Sequence, residues 1–157
     1  MVTAWAGLQQ QELKEVINMA KPLDVIKSLE KMAKKEFVPS IRPIKGGIIT
    51  EIIKKYNPKN ILEVGTLYGY SAILMAIAAH TLQADGEVVT IEIDRSVADI
   101  ARKNIADAGL SDKINVIVGD PLKVIPKLDW KFDLLFLDAA KCLGITYCLD
   151  TICRSSC

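Results

Sequence analysis

From Asn60 the chain alternates short apolar runs with helical segments, and this alternation limits the possible folds more than any other feature. NILEV (60–64) reads as a strand, residues 70–83 as a helix, and ADGE as a turn. EVVTIEI (87–93) is a second strand, residues 96–108 a second helix stopped by Gly109, and INVIV (114–118) a third strand. PLKVIPKL is a short helix and FDLLFL (132–137) a fourth strand. Strands that are apolar throughout and separated by helices form a parallel sheet covered on both faces. The expected class is therefore α/β, a mostly parallel sheet with helices on both faces. Four strands are fewer than most open sheets of this kind carry.

Ahead of Asn60 the pattern is helical. Leu13, Val16, Ile17 and Ala20 form one apolar stripe; Leu23, Ile26, Leu29, Ala33 and Phe37 form a second, with Pro22 at a first helical position. FVPSIRP interrupts the pattern. A third helix follows, with Ile44, Ile48, Ile49, Ile52, Ile53 and Tyr56 read as one side, and NPKN ends it.

At 157 residues the chain has room for one domain with a real core. Residues 1–57 are expected to be its N-terminal helices, 58–141 an α/β core and 142–157 a tail. Twenty basic residues against 19 acidic ones leave a net charge of +1, which gives no overall reason to expect nucleic acid or an anionic membrane as partner. The N-terminus lacks a basic start followed by an apolar core, and the longest apolar run, Ala72–Ala79, is too short to span a bilayer. A cytoplasmic protein is expected. Cys142, Cys148, Cys153 and Cys157 all fall in the final sixteen residues, with no CxxC pair and the one histidine, His80, far upstream. That spacing does not suit zinc, and the abrupt change of composition suggests a truncated or altered end.

The first strand runs into LEVGTLYGYSA, a turn from Gly65 to Gly69 that opens a helix at Tyr70–Ser71. Glycines here mean either a sharp bend or a backbone that a ligand approaches closely. The turn lacks the GxGxxG spacing whose middle glycine admits a pyrophosphate, so a dinucleotide is disfavoured. A smaller nucleoside ligand bearing a carboxylate suits the helix start better. Taken alone, the turn serves equally well as a tight strand–helix connection with no ligand. The second strand ends in Glu92, where an acid can accept hydrogen bonds from both hydroxyls of a ribose; by itself it is equally a solvated acid at a strand end. The two features together, in consecutive units, favour the nucleoside.

LEVGTLYGYSA, VVTIEID, INVIVGD and FDLLFLDAAK, in this order and spacing, resemble the S-adenosylmethionine-dependent O-methyltransferases of the catechol and caffeoyl-CoA type. IKGGIITEII resembles the helix before their first strand, so the likeness runs from about Ser40 to Lys141. The resemblance implies a Rossmann-like methyltransferase sheet and S-adenosylmethionine as cofactor. It implies that Glu63 and Gly65 line the methionine part, that Thr66 and Gly69 belong to the same binding turn, and that Ser71 bonds the cofactor carboxylate. Ile41 would pack near the cofactor from the N-terminal side, Glu92 would hold the ribose, Ile93 would lie beside the adenine, and Gly119 and Asp120 would form the loop beneath it. Asp138 would be a cofactor-site residue and the first ligand of a magnesium-like divalent metal. Lys141 would take the proton of a small-molecule hydroxyl substrate, making Asp138 and Lys141 the catalytic pair.

The family places an Asp-Asn pair of further metal ligands after its next strand. The residues beyond Lys141, CLGITYCLDTICRSSC, contain no such pair, although Tyr147 echoes a tyrosine found there. The expected history is a methyltransferase altered after Lys141, with its C-terminal strands missing, weak metal binding and little turnover. Alternatives are a cofactor-binding or interaction protein without turnover, and a tRNA methyltransferase, which no basic stripe with interleaved aromatics supports. Family members are often dimers, and an uncovered fourth strand leads to the same expectation.

Overall fold

The computed structural model describes residues 20–35, 43–80, 86–129 and 131–138. Residues 20–35 are helical (α1). They are followed by α2 (Pro43–Tyr56), β1 (Asn60–Val64), α3 (Tyr70–His80), β2 (Glu87–Glu92) and α4 (Arg95–Asp107). The remaining elements are β3 (Ile114–Val118), α5 (Pro121–Val124), which runs into a 3-10 turn at Ile125–Lys127, and β4 (Leu134–Leu137). The strands form one parallel sheet in the order β3-β2-β1-β4. Residues 1–19, Ile41, Lys141 and the cysteine-bearing segment 142–157 lie outside the described residues. No helix among those described is long and apolar enough to cross a membrane.

Successive strand residues point to opposite faces, and the apolar runs supply both. On one face Ile61, Val88 and Ile114 pack with Ile26, Leu29, Ile49, Ile53, Ile73, Met75 and Ile105 from α1–α4. On the other, Leu62, Val64, Val89 and Ile91 pack with Ile125 and the half-buried Leu135 and Leu137. Helical cover on both faces, read from wholly apolar strands, is what is found.

Three local findings refine the sequence reading. Helix α1 already includes residues 20 and 21, so Pro22 is not its first residue. Among the described side chains of the expected stripe in α2, Ile49 and Ile53 are buried; Ile48 is 57 % and Tyr56 69 % exposed, and Ile52 is exposed too. Those isoleucines cover too wide an arc at 100° per residue for one packed face. The helix ends where Asn57 turns left-handed at φ 47° and donates its N–H to Ile53 O at 2.8 Å, just ahead of Pro58.

The fourth strand reads as a central strand from its composition, yet β4 is an edge strand among the described residues, and all four of its residues are only half-buried. Its start is pinned to β1 by Asp133. One carboxylate oxygen of Asp133 accepts the N–H groups of Lys59 and Asn60, both at 2.9 Å, and its own N–H donates to Asn60 O at 2.8 Å. That pin sets the register in which Val64 lies opposite Leu137, and so fixes where the chain leaves the sheet at Asp138.

Candidate functional site

In a parallel sheet all strands end on the same side, so the residues that follow them form a single rim. Across the sheet that rim reads Gly119, Glu92, Gly65 and Asp138. Backbone bonds hold the four together: Gly119 N–H to Glu92 O at 2.8 Å, Gly65 N–H to Ile91 O at 3.0 Å, and Asp138 N–H to Val64 O at 3.0 Å. The chain winds from β1 through β2 to β3 and then crosses to β4 on the far side of β1. The reversal point, where open α/β sheets bind ligands, therefore lies between Gly65 and Asp138.

The turn after β1 is sharply bent, with φ of 101° at Gly65, 49° at Leu67 and 85° at Gly69. A Cβ built on Gly69 would meet Ala101 and Ile105 at 3.6 Å, an ordinary contact, so the bend rather than crowding calls for glycine there. Each residue between the glycines is held by a neighbouring element. Thr66 Oγ1 lies 2.6 Å from Thr90 Oγ1 on β2. Leu67 N–H donates to Glu92 Oε2 at 2.9 Å. Tyr68 O accepts from Asn104 Nδ2 on α4 at 2.9 Å. Gly69 N–H closes the turn onto Thr66 O at 2.9 Å. Helix α3 then begins, its first N–H groups free of intrahelical partners.

Beneath this turn Glu63 is completely buried. Ser71 Oγ donates to one of its carboxylate oxygens, and Thr90 Oγ1 to the other at 2.6 Å. Since Thr90 donates to the carboxylate, it accepts the hydroxyl proton of Thr66. Burial pushes the Glu63 pKa up from 4.5 to about 7; the two hydroxyl donors oppose this, while the charges of Asp138 and Glu92 add to it. Burial also raises the pKa of Asp138, and the charge of Lys45 on α2 lowers it. Buried Glu63 on β1 thus feels the charges of two carboxylates at neighbouring strand ends, Glu92 closing β2 and Asp138 just past β4.

Of the expected site residues, Gly65, Thr66, Gly69, Ser71, Glu92, Gly119 and Asp138 converge on this rim and turn. Thr66, Ser71 and Glu63 have almost no exposed surface and sit behind the wall. Ile93 is exposed just past Glu92. Asp120 caps α5, accepting Leu122 N–H at 3.0 Å. Ile41 and Lys141 fall outside the described residues. Thr90, Asn104 and Lys45 were not among the expected residues. A lone hydroxyl inside the apolar run VVTI was the one available signal, and it marks Thr90.

Among the described residues no group of three or more His, Cys, Asp or Glu is placed to hold a metal ion. Asp138 alone supplies one carboxylate, and an octahedral ion needs more oxygen ligands than that.

Known proteins share this fold and much of this sequence. A family model described as O-methyltransferase matches residues 17–152, a wider span than the motif resemblance at both ends. The catechol O-methyltransferase of Mus musculus is 34% identical over 134 residues, covering 83% of this chain and 49% of that protein. Two solved structures superpose with 29% identity and cover 83% of this chain. One is an O-methyltransferase from Bacillus cereus in complex with SAH, with a TM-score of 0.72 and 60% of that chain covered. The other is TomG of Streptomyces achromogenes, an O-methyltransferase involved in tomaymycin synthesis, in complex with SAM, with a TM-score of 0.71 and 59% covered. The chain spans about half the length of the curated relatives it matches.

Proposed function

The chain belongs to the O-methyltransferase family, and from that premise we propose that its strand-end groove binds S-adenosylmethionine for methyl transfer to the hydroxyl of a small phenolic or catechol-like molecule. The observation that carries this reading is the charge of the groove. Glu92 and Asp138 stand at neighbouring strand ends, and the charge of each raises the pKa of Glu63 beneath them, so a cation is favoured there and a polyanion repelled. S-adenosylmethionine brings a sulfonium and an ammonium, whereas a dinucleotide brings a pyrophosphate. The cofactors named for the two solved relatives, and the catechol substrate named for the mouse enzyme, point the same way.

In this reading Glu92 accepts the ribose hydroxyls, Ile93 lies beside the adenine, and Gly119 and Asp120 underlie it. The first N–H groups of α3, that of Ser71 among them, receive the cofactor carboxylate, while the Ser71 hydroxyl is given to Glu63. Gly65 and Gly69 shape the turn, Glu63 and Thr66 support it from beneath, and Ile41 packs from the N-terminal side. The substrate oxygen attacks the methyl carbon; the O–C bond forms as the C–S bond breaks, and the electron pair returns to sulfur, leaving the thioether S-adenosylhomocysteine. The hydroxyl proton passes to a neutral Lys141 amine. Because the described residues do not build a divalent-ion site, no step here runs through a metal.

Amide hydrogen exchange with and without S-adenosylhomocysteine tests the reading. Protection is expected at residues 65–71, 92–94 and 119–120. Protection confined to other elements contradicts it.

Two further outcomes follow from the same site. With Asp138 as its one described metal-side carboxylate, the chain is expected to leave magnesium unsaturated at about millimolar concentration and to methylate catechols near the background rate. Metal titration followed by assay of labelled product checks this; robust magnesium-dependent transfer abolished by Lys141→Ala would contradict it. The outer edge of β4 has no partner strand among the described residues, and an open apolar edge invites pairing with another chain. A homodimer or higher oligomer is therefore expected by light scattering in reductant, with the β4 amides that do not donate to β1 gaining protection from exchange on association. A monodisperse monomer with a protected β4 would contradict that.

A further inference from the structure

We propose that Thr90 and Asn104 are positioning residues of the cofactor groove, holding the turn after β1 in its ligand-ready shape from behind. The proposal rests on the reading of the groove as an S-adenosylmethionine site and adds residues that touch no ligand.

Leu67 lies at φ 49°, a region costly for a residue with a branched side chain, which persists only where its surroundings enforce it. Three consecutive turn residues are enforced by three side chains from two other elements: Thr66 by Thr90, Leu67 by Glu92 and Tyr68 by Asn104. Thr90 and Glu92 stand two apart on β2 and so face the same side of the sheet. That spacing lets one strand grip two successive residues of the turn, while Asn104 holds the third from α4.

Thr90 does more than grip the turn. Its hydroxyl donates to buried Glu63 at 2.6 Å and accepts from Thr66. One hydroxyl therefore joins the buried carboxylate to the turn. Removing it leaves a fully buried Glu63 oxygen and the buried Thr66 hydroxyl each short of a partner, an arrangement that relaxes by moving the turn. No buried side-chain polar atom among the described residues lacks a partner as the structure stands. Asn104 acts at the other end. Losing its amide frees the Tyr68 carbonyl next to Gly69, the residue that sets the direction of α3 and hence of its first N–H groups.

The test is calorimetric titration of S-adenosylhomocysteine into the wild-type chain, Thr90→Val, Thr90→Ser and Asn104→Ala, with amide NMR spectra of each before ligand is added. Thr90→Val is expected to weaken binding about tenfold, and Thr90→Ser, which keeps the hydroxyl, to restore it to within about threefold. The Leu67 and Tyr68 amide signals are expected to be displaced in Thr90→Val and in Asn104→Ala without ligand. Wild-type affinity in both substituted chains, unmoved turn amides, or failure of serine to restore binding overturns the proposal. Should Thr90→Val fail to fold, Asn104→Ala decides, since its bond is half-buried and involves no buried charge. A wild-type chain that takes up no S-adenosylhomocysteine contradicts the methyltransferase reading instead, and the turn amides alone then decide the positioning role.

Discussion

Glu92→Ala is expected to weaken S-adenosylmethionine binding by about a hundredfold or more. Two hydrogen bonds from ribose hydroxyls to a charged acceptor are worth about 1.5–3 kcal/mol each, and every 1.4 kcal/mol is about tenfold in affinity. The same carboxylate also accepts Leu67 N–H at 2.9 Å and Asp94 N–H at 3.1 Å. Alanine therefore removes ligand contacts and loosens the turn at the same time. Glu92→Gln separates the two effects. Its amide oxygen can still accept Leu67 N–H, though the bond from Asp94 N–H to the other oxygen is lost, and it offers the ribose a neutral acceptor, so a loss between wild type and alanine is expected. Calorimetry on the three proteins checks this; alanine binding within about threefold of wild type would remove Glu92 from the site.

The second large effect is on stability. Glu63 has a folded-state pKa of about 7 against 4.5 as a free side chain. A carboxyl whose pKa is raised on folding holds its proton more tightly in the native state. Its contribution is fully present below about pH 4.5 and is lost as pH rises through about 7. At about 1.4 kcal/mol per pH unit across that interval, the unliganded protein should lose roughly 3 kcal/mol. Burial is the dominant cause, and the hydroxyls of Ser71 and Thr90 limit the shift. Glu63→Gln removes the titration. The difference in denaturant-unfolding free energy between wild type and Glu63→Gln should therefore change by that amount between pH 4.5 and pH 8. Subtracting the variant cancels groups common to both, including Asp94, whose pKa is lowered by its capping bonds to Ser96 and Val97 and whose effect has the opposite sign. Parallel pH profiles for the two proteins would mean that Glu63 titrates as it does in water. A bound cation above Glu63 should also flatten the wild-type profile, because it favours the ionised carboxylate.

These two residues illustrate how far the sequence could be read. The sheet was legible because parallel strands covered by helices on both faces are predominantly apolar; INVIV occupies the span expected for it, and NILEV likewise, despite the exposed Asn115 in one and the buried Glu63 in the other. The turn was legible because a bend with φ of 85° at its last position needs glycine. Glu92 was legible as the acid at a strand end. Thr90 was not, because a single hydroxyl inside VVTIE has meaning only once its neighbours Glu63 and Thr66 are known, 27 and 24 residues away in the chain. Asn104 reaches Tyr68 across 36 residues, a contact that depends on how α4 lies against the turn. The faces of α2 were misread for a related reason: periodicity gives a stripe, but only packing against α3 decides which half of a wide stripe is buried.

The central claim is that an acidic strand-end groove accepts the sulfonium cofactor and its thioether product, and rejects a dinucleotide. Calorimetric titration of S-adenosylmethionine, S-adenosylhomocysteine and NAD into the same protein at neutral pH tests it most directly. The account predicts saturable heat with both methyl-cofactor forms and none with NAD. Heat with NAD and none with either methyl-cofactor form would contradict it.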